Sequence, residues 1–196
     1  MKKEFKNKTN THFINLEDDI LFSKKNFLYW LRSRNFLKKY GIIPGFVRTE
    51  NKTTNEIYLV DFTNKINLKK LPRIRINNKE IFINHNFPYQ GMYIYDRILM
   101  NEYLSSEATN PDCGYGGVNT NFISKDMINL SLLEKSNIGL TYLSVPHGLN
   151  NRMMTLFDQS KNTFNDSYLI HHLSNKYVHQ KNSIFSKIQI NKILKQ

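Results

Sequence analysis

Residues 83–104 read INHNFPYQGMYIYDRILMNEYL, and the parsing of this stretch governs the fold. A β-like run ends at Pro88, a Gln90-Gly91 pair follows, and a helix-like pattern begins near residue 94. Strand, glycine turn, helix is a common way of presenting backbone N–H groups to a phosphate. This turn holds one glycine and is followed by Met92, Tyr93 and Tyr95. Read one way it is a cofactor loop; read the other way it is an ordinary turn into a core helix.

Outward from this point the pattern alternates between periods. From Leu16 to Tyr40 apolar residues recur at three- and four-residue steps, which predicts a helix beginning near Asp18-Asp19 and stopping at Gly41. "GFVRTE" and "NEIYLVDFT" read as strands joined through "NKTTN", and "RIRINNKEIFIN" as a hairpin about Asn77-Asn78. Residues 94–104 predict a helix, "GYGGVNTNFIS" a strand and "KDMINLSLLEKSN" a short helix. "IGLTYLSVP" and "RMMTLFDQS" predict two further strands about the turn "HGLNN". The expected fold class is mixed α+β: a central, mostly antiparallel sheet flanked by helices. Residues 1–12 read as a flexible basic arm, 13–160 as a single domain, and 161–196 as a basic, partly helical C-terminal extension.

Hydrophobic residues make up 40% of the 196 and aromatics 13%, enough for a packed core. No apolar run approaches the roughly 18–20 residues that cross a bilayer, and MKKEFKNKTNTHF lacks the apolar stretch of a secretory signal. The expectation is a cytoplasmic protein with no transmembrane segment. The single cysteine, Cys113, excludes an intrachain disulfide and a cysteine-based zinc site. The six histidines have no metal-ligand spacing, so no metal is expected. The formal net charge of +12 favours an anionic partner: nucleic acid, an acidic membrane surface, or a phosphorylated cofactor. Abundant Lys, Asn and Ile together are also what an AT-rich coding sequence produces.

Several chemistries can be set against simpler readings. Cys113 as a nucleophile with His147 as its base needs a lowered thiol pKa, and the glycines around "NPDCGYGG" argue against a helix start that would supply it. Asp18-Asp19 is explained by helix capping. There is no Walker-type loop, zinc finger or RNA-recognition motif. The aromatics of "FLYWLRSRNFLKKY" suit a core better than base stacking, with the basic residues between them as a solvated face.

From residue 79 onward the order of elements resembles the GNAT N-acetyltransferase family. "FPYQGMYIYDRILMNEYL" resembles the junction at which that family's helix amides hold the pyrophosphate of acyl-CoA, and "VNTNFISKDMINLSLLEKSNIGLTYLSVP" is similar to its next strand, helix and closing strand. The resemblance covers roughly residues 80–157. Counting from Gln90, the family's glycine positions fall on Tyr93 and Tyr95, and its frequent general-acid tyrosine falls on Leu133. The resemblance implies an N-acyltransferase using acetyl-CoA or another acyl-CoA and an amine substrate. It implies His85 or Glu80 as the base, and Tyr89, Gln90, Gly91, Met92 and Asn129 at the cofactor. The alternative reading is a non-catalytic basic protein that associates with RNA or the ribosome, or a viral structural protein, holding phosphates with Lys and Arg.

Overall fold

The computed structural model describes residues 2–86, 88–89, 91–109 and 137–195. In chain order the described elements are α1 (Lys2–Lys6), β1 (His12–Leu16), β2 (Ile20–Leu21), α2 (Lys24–Leu37), β3 (Ile43–Pro44), β4 (Val47–Thr53) and β5 (Glu56–Leu59). They continue with β6 (Arg73–Arg75), β7 (Glu80–Ile83), β8 (Met92–Asp96), α3 (Arg97–Ser105), β9 (Met153–Asp158), β10 (Leu169–His172), α4 (Lys176–His179) and β11 (Ile188–Gln189). The fold class is mixed α and β, with few helices. The chain divides into two compact units, residues 1–17 with 90–145 and residues 18–89 with 146–196.

In the first unit β1 and β8 pair antiparallel, with Phe13 opposite Tyr95 and Asn15 opposite Tyr93. Residues 92–96 form a strand where a helix was expected from residue 94, because Met92 to Tyr95 are buried on both faces. The helix starts at Arg97, where the Asp96 side chain accepts the Leu99 N–H at 2.8 Å and caps the first turn. Tyr93 and Tyr95, two residues apart on one strand face, stack at 4.4 Å and 15°. Residues 138–146, expected as a strand, contain none: a helical end at residues 137–138 passes into a turn at 139–142. Gly139 takes the left-handed conformation (φ +53°), and the Leu140 N–H donates to the Tyr95 hydroxyl at 2.7 Å. The N-terminal segment is not free. The Arg97 guanidinium donates to the carbonyls of Phe5, Asn7 and Asn10, and lies 4.5 Å from the Phe5 ring.

The second unit carries two sheets. One has the order β3-β9-β7-β6, the other β11-β5-β4-β10-β2. Both expected hairpins are present, β4 with β5 and β6 with β7. α2 begins later than the aspartates suggest. Ser23 and Asn26 form a reciprocal capping box, whereas Asp18 and Asp19 lie in a turn before β2. Gly41 closes the region in the left-handed conformation, as its position predicts. α2 buries Tyr29, Trp30 and Leu37, and Phe36 stacks on Phe82 of β7 at 5.7 Å.

Residues 161–196, expected as a basic, partly helical extension, contribute two strands, β10 and β11, to the five-stranded sheet. β10 lies between β4, which it meets in parallel, and β2, which it meets antiparallel. Ile170 and Ile193 have no exposed surface. β10 also delivers His172 into a buried charge cluster with Glu50 of β4. His172 Nδ1 lies 2.6 Å from Glu50 Oε1, and Nε2 lies 2.8 Å from Asp19 Oδ2. A carboxylate only accepts, so the ring meets both partners when each nitrogen carries a hydrogen. Glu50, with no exposed surface, also accepts from the N–H groups of Tyr177 and Val178 and from Ser186 Oγ. Burial alone would raise its pKa; these donors, His172 first, hold it below the usual carboxylate range.

Candidate nucleic-acid interface

The chain from Asp61 to Leu71 is irregular, yet it is held firmly. Ile66 N–H donates to the Ile193 carbonyl at 2.8 Å, and Lys195 N–H returns to the Ile66 carbonyl at 2.9 Å. Asn67 turns the chain through its side chain, accepting the Lys69 N–H at 3.0 Å, and Arg73 Nη1 donates to the Leu68 carbonyl. The 65–70 and 187–195 segments are thereby sewn side by side. They wall two cavities of about 250 and 220 Å3 that share Lys65.

The walls are strongly basic. Lys65, Lys70 and Lys195 border the first cavity, and Lys187 and Lys192 join Lys65 around the second. All five lysines are exposed. Among the described residues Asp61 is the sole carboxylate of these walls, and its oxygens are taken by Arg48 at 2.7 and 3.4 Å. Arg48 is fixed in turn between the rings of Tyr89 and Tyr177, at 4.7 and 5.6 Å. At the edge of the second cavity Gln189 Nε2 donates to Glu56 and to Tyr58. Five ammonium groups around two small cavities, with Asp61 paired to Arg48 and Glu56 at the edge, leave a surface of net positive charge.

The residues expected to catalyse do not come together. Glu80 lies in a groove between α2 and its sheet, where Tyr168 donates to it at 3.3 Å; burial, with Glu80 second, holds the Tyr168 hydroxyl protonated. His85 borders the first lysine-walled cavity, its ring tilted against Phe62 at 4.7 Å, and its Nε2 has no hydrogen-bond partner. Burial pushes the His85 pKa down to about 4, so it is neutral at pH 7 and too weakly basic to take a proton from an amine efficiently. Tyr89 is buried, with its ring against Arg48. Met92 is buried at the start of β8, and Gly91 precedes it. Gln90, Asn129, Cys113 and Leu133 lie outside the described residues. The strand at 80–83 is antiparallel to both of its neighbours among the described residues, β6 and β9.

One constellation outside the expected set mimics a hydrolase triad. Ser174 Oγ lies 3.1 Å from His172 Nε2 and 3.4 Å from Nδ1. An atom so nearly equidistant lies off both nitrogen axes, which Asp19 and Glu50 already occupy. The cluster ties β4, β10 and the 18–19 turn together; it does not prepare a nucleophile.

The His85 environment gives a pH prediction. A folded pKa near 4 against an ordinary 6.5 means that the unfolded chain binds the proton more readily. The stability from keeping His85 neutral is complete above pH 6.5 and is lost as pH falls through 4, by about 3 kcal/mol in all. Urea titrations between pH 4 and 7.5 should show His85→Leu with a flatter dependence than the parent. Equal slopes would remove His85 from the account.

Comparison of the chain with protein families, with curated proteins and with solved structures finds no match.

Proposed function

We propose that this protein binds the phosphodiester backbone of a single-stranded nucleic acid along the surface walled by Lys65, Lys70, Lys187, Lys192 and Lys195. The observation that carries the reading is the pair of adjoining cavities ringed by five exposed lysines, with Asp61 engaged by Arg48. Cations on a rigid backbone scaffold hold phosphates in register without specifying sequence. The net charge of +12 supplies long-range attraction in the same direction. Acyl transfer from acyl-CoA has less support: of the two alternative bases, buried His85 is a poor one, and Glu80 lies in a groove of its own.

Fluorescence anisotropy of a labelled single-stranded RNA, titrated over a range of salt, tests this. Each phosphate neutralised contributes about −0.7 to the slope of log K against log salt for a single strand. Replacing Lys65, Lys70, Lys192 and Lys195 together by Gln should flatten the slope by about 3 and weaken binding at low salt. An unchanged slope, or binding confined to acidic lipid vesicles, would overturn the proposal.

A further inference from the structure

A third cavity, of about 480 Å3, lies in the larger unit away from the five lysines, within the usual range for small-molecule sites. One wall is a single face of α2, where Lys25, Leu28, Tyr29, Arg32, Ser33 and Phe36 recur at steps of three and four. The opposite wall carries Glu80, Phe82 and Leu156 from the sheet, with Tyr168 from the segment before β10.

The chemistry of the two walls is unequal. Lys25 and Arg32 are exposed, and neither has an ion-pair partner among the described residues. They stand two turns apart, roughly 10 Å along the helix axis. Glu80 faces them with acceptors only. Its Oε1 takes the Tyr168 hydroxyl at 3.3 Å and its Oε2 takes Asn77 Nδ2 at 3.2 Å, so each oxygen keeps a lone pair. Between the walls lie flat rings, Phe36 against Phe82 and Tyr29 against Tyr168 at 4.9 Å. Leu28 and Ile76 remain 40% and 37% exposed at the rim. A matching ligand has a flat ring for the aromatic walls, an anion for Lys25 and Arg32, and adjacent N–H donors for a carboxylate.

We infer that this groove binds a 5′-phosphorylated guanine nucleotide. The guanine edge offers a ring N–H beside an exocyclic amine, two parallel donors for the two oxygens of Glu80. Adenine and cytosine offer the amine alone, and uracil a single ring N–H. The phosphate falls to Arg32 and Lys25, whose guanidinium and ammonium suit it. The groove shares no residue with the lysine-walled cavities, so the inference does not rest on the nucleic-acid proposal.

Isothermal titration of the full chain with GMP, AMP, UMP and guanosine tests the assignment. GMP should bind at least tenfold more tightly than AMP or UMP, and guanosine should lose at least tenfold against GMP. Arg32→Ala, at an exposed and unpaired position, should bring GMP down to the guanosine level without altering the fold. Glu80→Gln should bring GMP to the AMP level, and the four-lysine variant should bind GMP as the parent does. Displacement of GMP by guanine-containing RNA but not by guanine-free RNA would identify the nucleotide as part of a strand. No displacement by either would identify it as free; both outcomes support the site. No heat with millimolar GMP, equal binding of guanosine and GMP, or guanine preference surviving Glu80→Gln would overturn it.

Discussion

Glu50→Gln is expected to destabilise the larger unit by about 3–5 kcal/mol, a Tm loss of roughly 10 °C or more. The substitution is isosteric, so volume is not the cause. Glu50 has no exposed surface, and its two oxygens receive His172 Nδ1 at 2.6 Å, Tyr177 N at 3.2 Å, Val178 N at 2.7 Å and Ser186 Oγ at 2.8 Å. An amide keeps one acceptor and turns two donors toward donors, and His172 Nδ1 loses its carboxylate partner. Asp19, on the opposite ring nitrogen, is 35% exposed, and Asp19→Asn should cost about 1 kcal/mol or less. Denaturant titrations followed by the single tryptophan, buried Trp30, report on this unit. A loss of under 1 kcal/mol for Glu50→Gln, or equal losses for both variants, would refute the central role given to Glu50. The sign with pH follows from the lowered pKa. The stability from an ionised Glu50 is present above the ordinary carboxylate range and disappears as pH falls through its depressed folded value.

Gly139→Ala should be the most damaging small substitution in the other unit, at about 2–5 kcal/mol. Part is the left-handed backbone at φ +53°, which costs an L-residue roughly 1–2 kcal/mol. The rest is collision: the new methyl runs into the Tyr95 hydroxyl, with Tyr95 Cζ at 3.3 Å and Tyr93 Cδ1 at 3.6 Å. Overpacking of this kind costs about 1–3 kcal/mol. Tyr95→Phe alone strands the Leu140 N–H, yet it clears the atom that the methyl strikes. The double variant should therefore be less unstable than the sum of the two, by about 1 kcal/mol or more. Hydrogen exchange at the Leu140 amide follows the lesion directly, and strict additivity would contradict the collision.

These two sites mark the limits of what the sequence discloses. Hairpins were readable because their signals are local: Asn77-Asn78 and the polar run before Glu56 lie beside the strands they join. α2 was readable in period but not in onset, because Asp18-Asp19 imitates a cap that Ser23 and Asn26 provide. Nothing near "LIHH" announces a central strand, since β10 owes its place to parallel pairing with residues 47–49, far away in the chain. The Asp19–His172–Glu50 cluster joins residues 153 and 122 positions apart, beyond any spacing rule. The lysines were legible as charge, but their convergence depends on the backbone bonds between Ile66, Ile193 and Lys195. Tyr93 and Tyr95 stood out as intruders in a glycine loop; they are the platform on which the Gly139 turn rests.

The central position of β10 also sets a timetable for synthesis. β2 and β4 emerge early, yet the strand that sits between them arrives more than a hundred residues later. Until it does, β4 presents an open edge, and Glu50 faces water without the four donors that later surround it. A nascent chain of this protein therefore spends most of its translation with a half-built sheet, the condition in which unpaired strands meet one another and aggregate. Co-expression of a holdase that shields the growing chain is expected to raise its soluble yield.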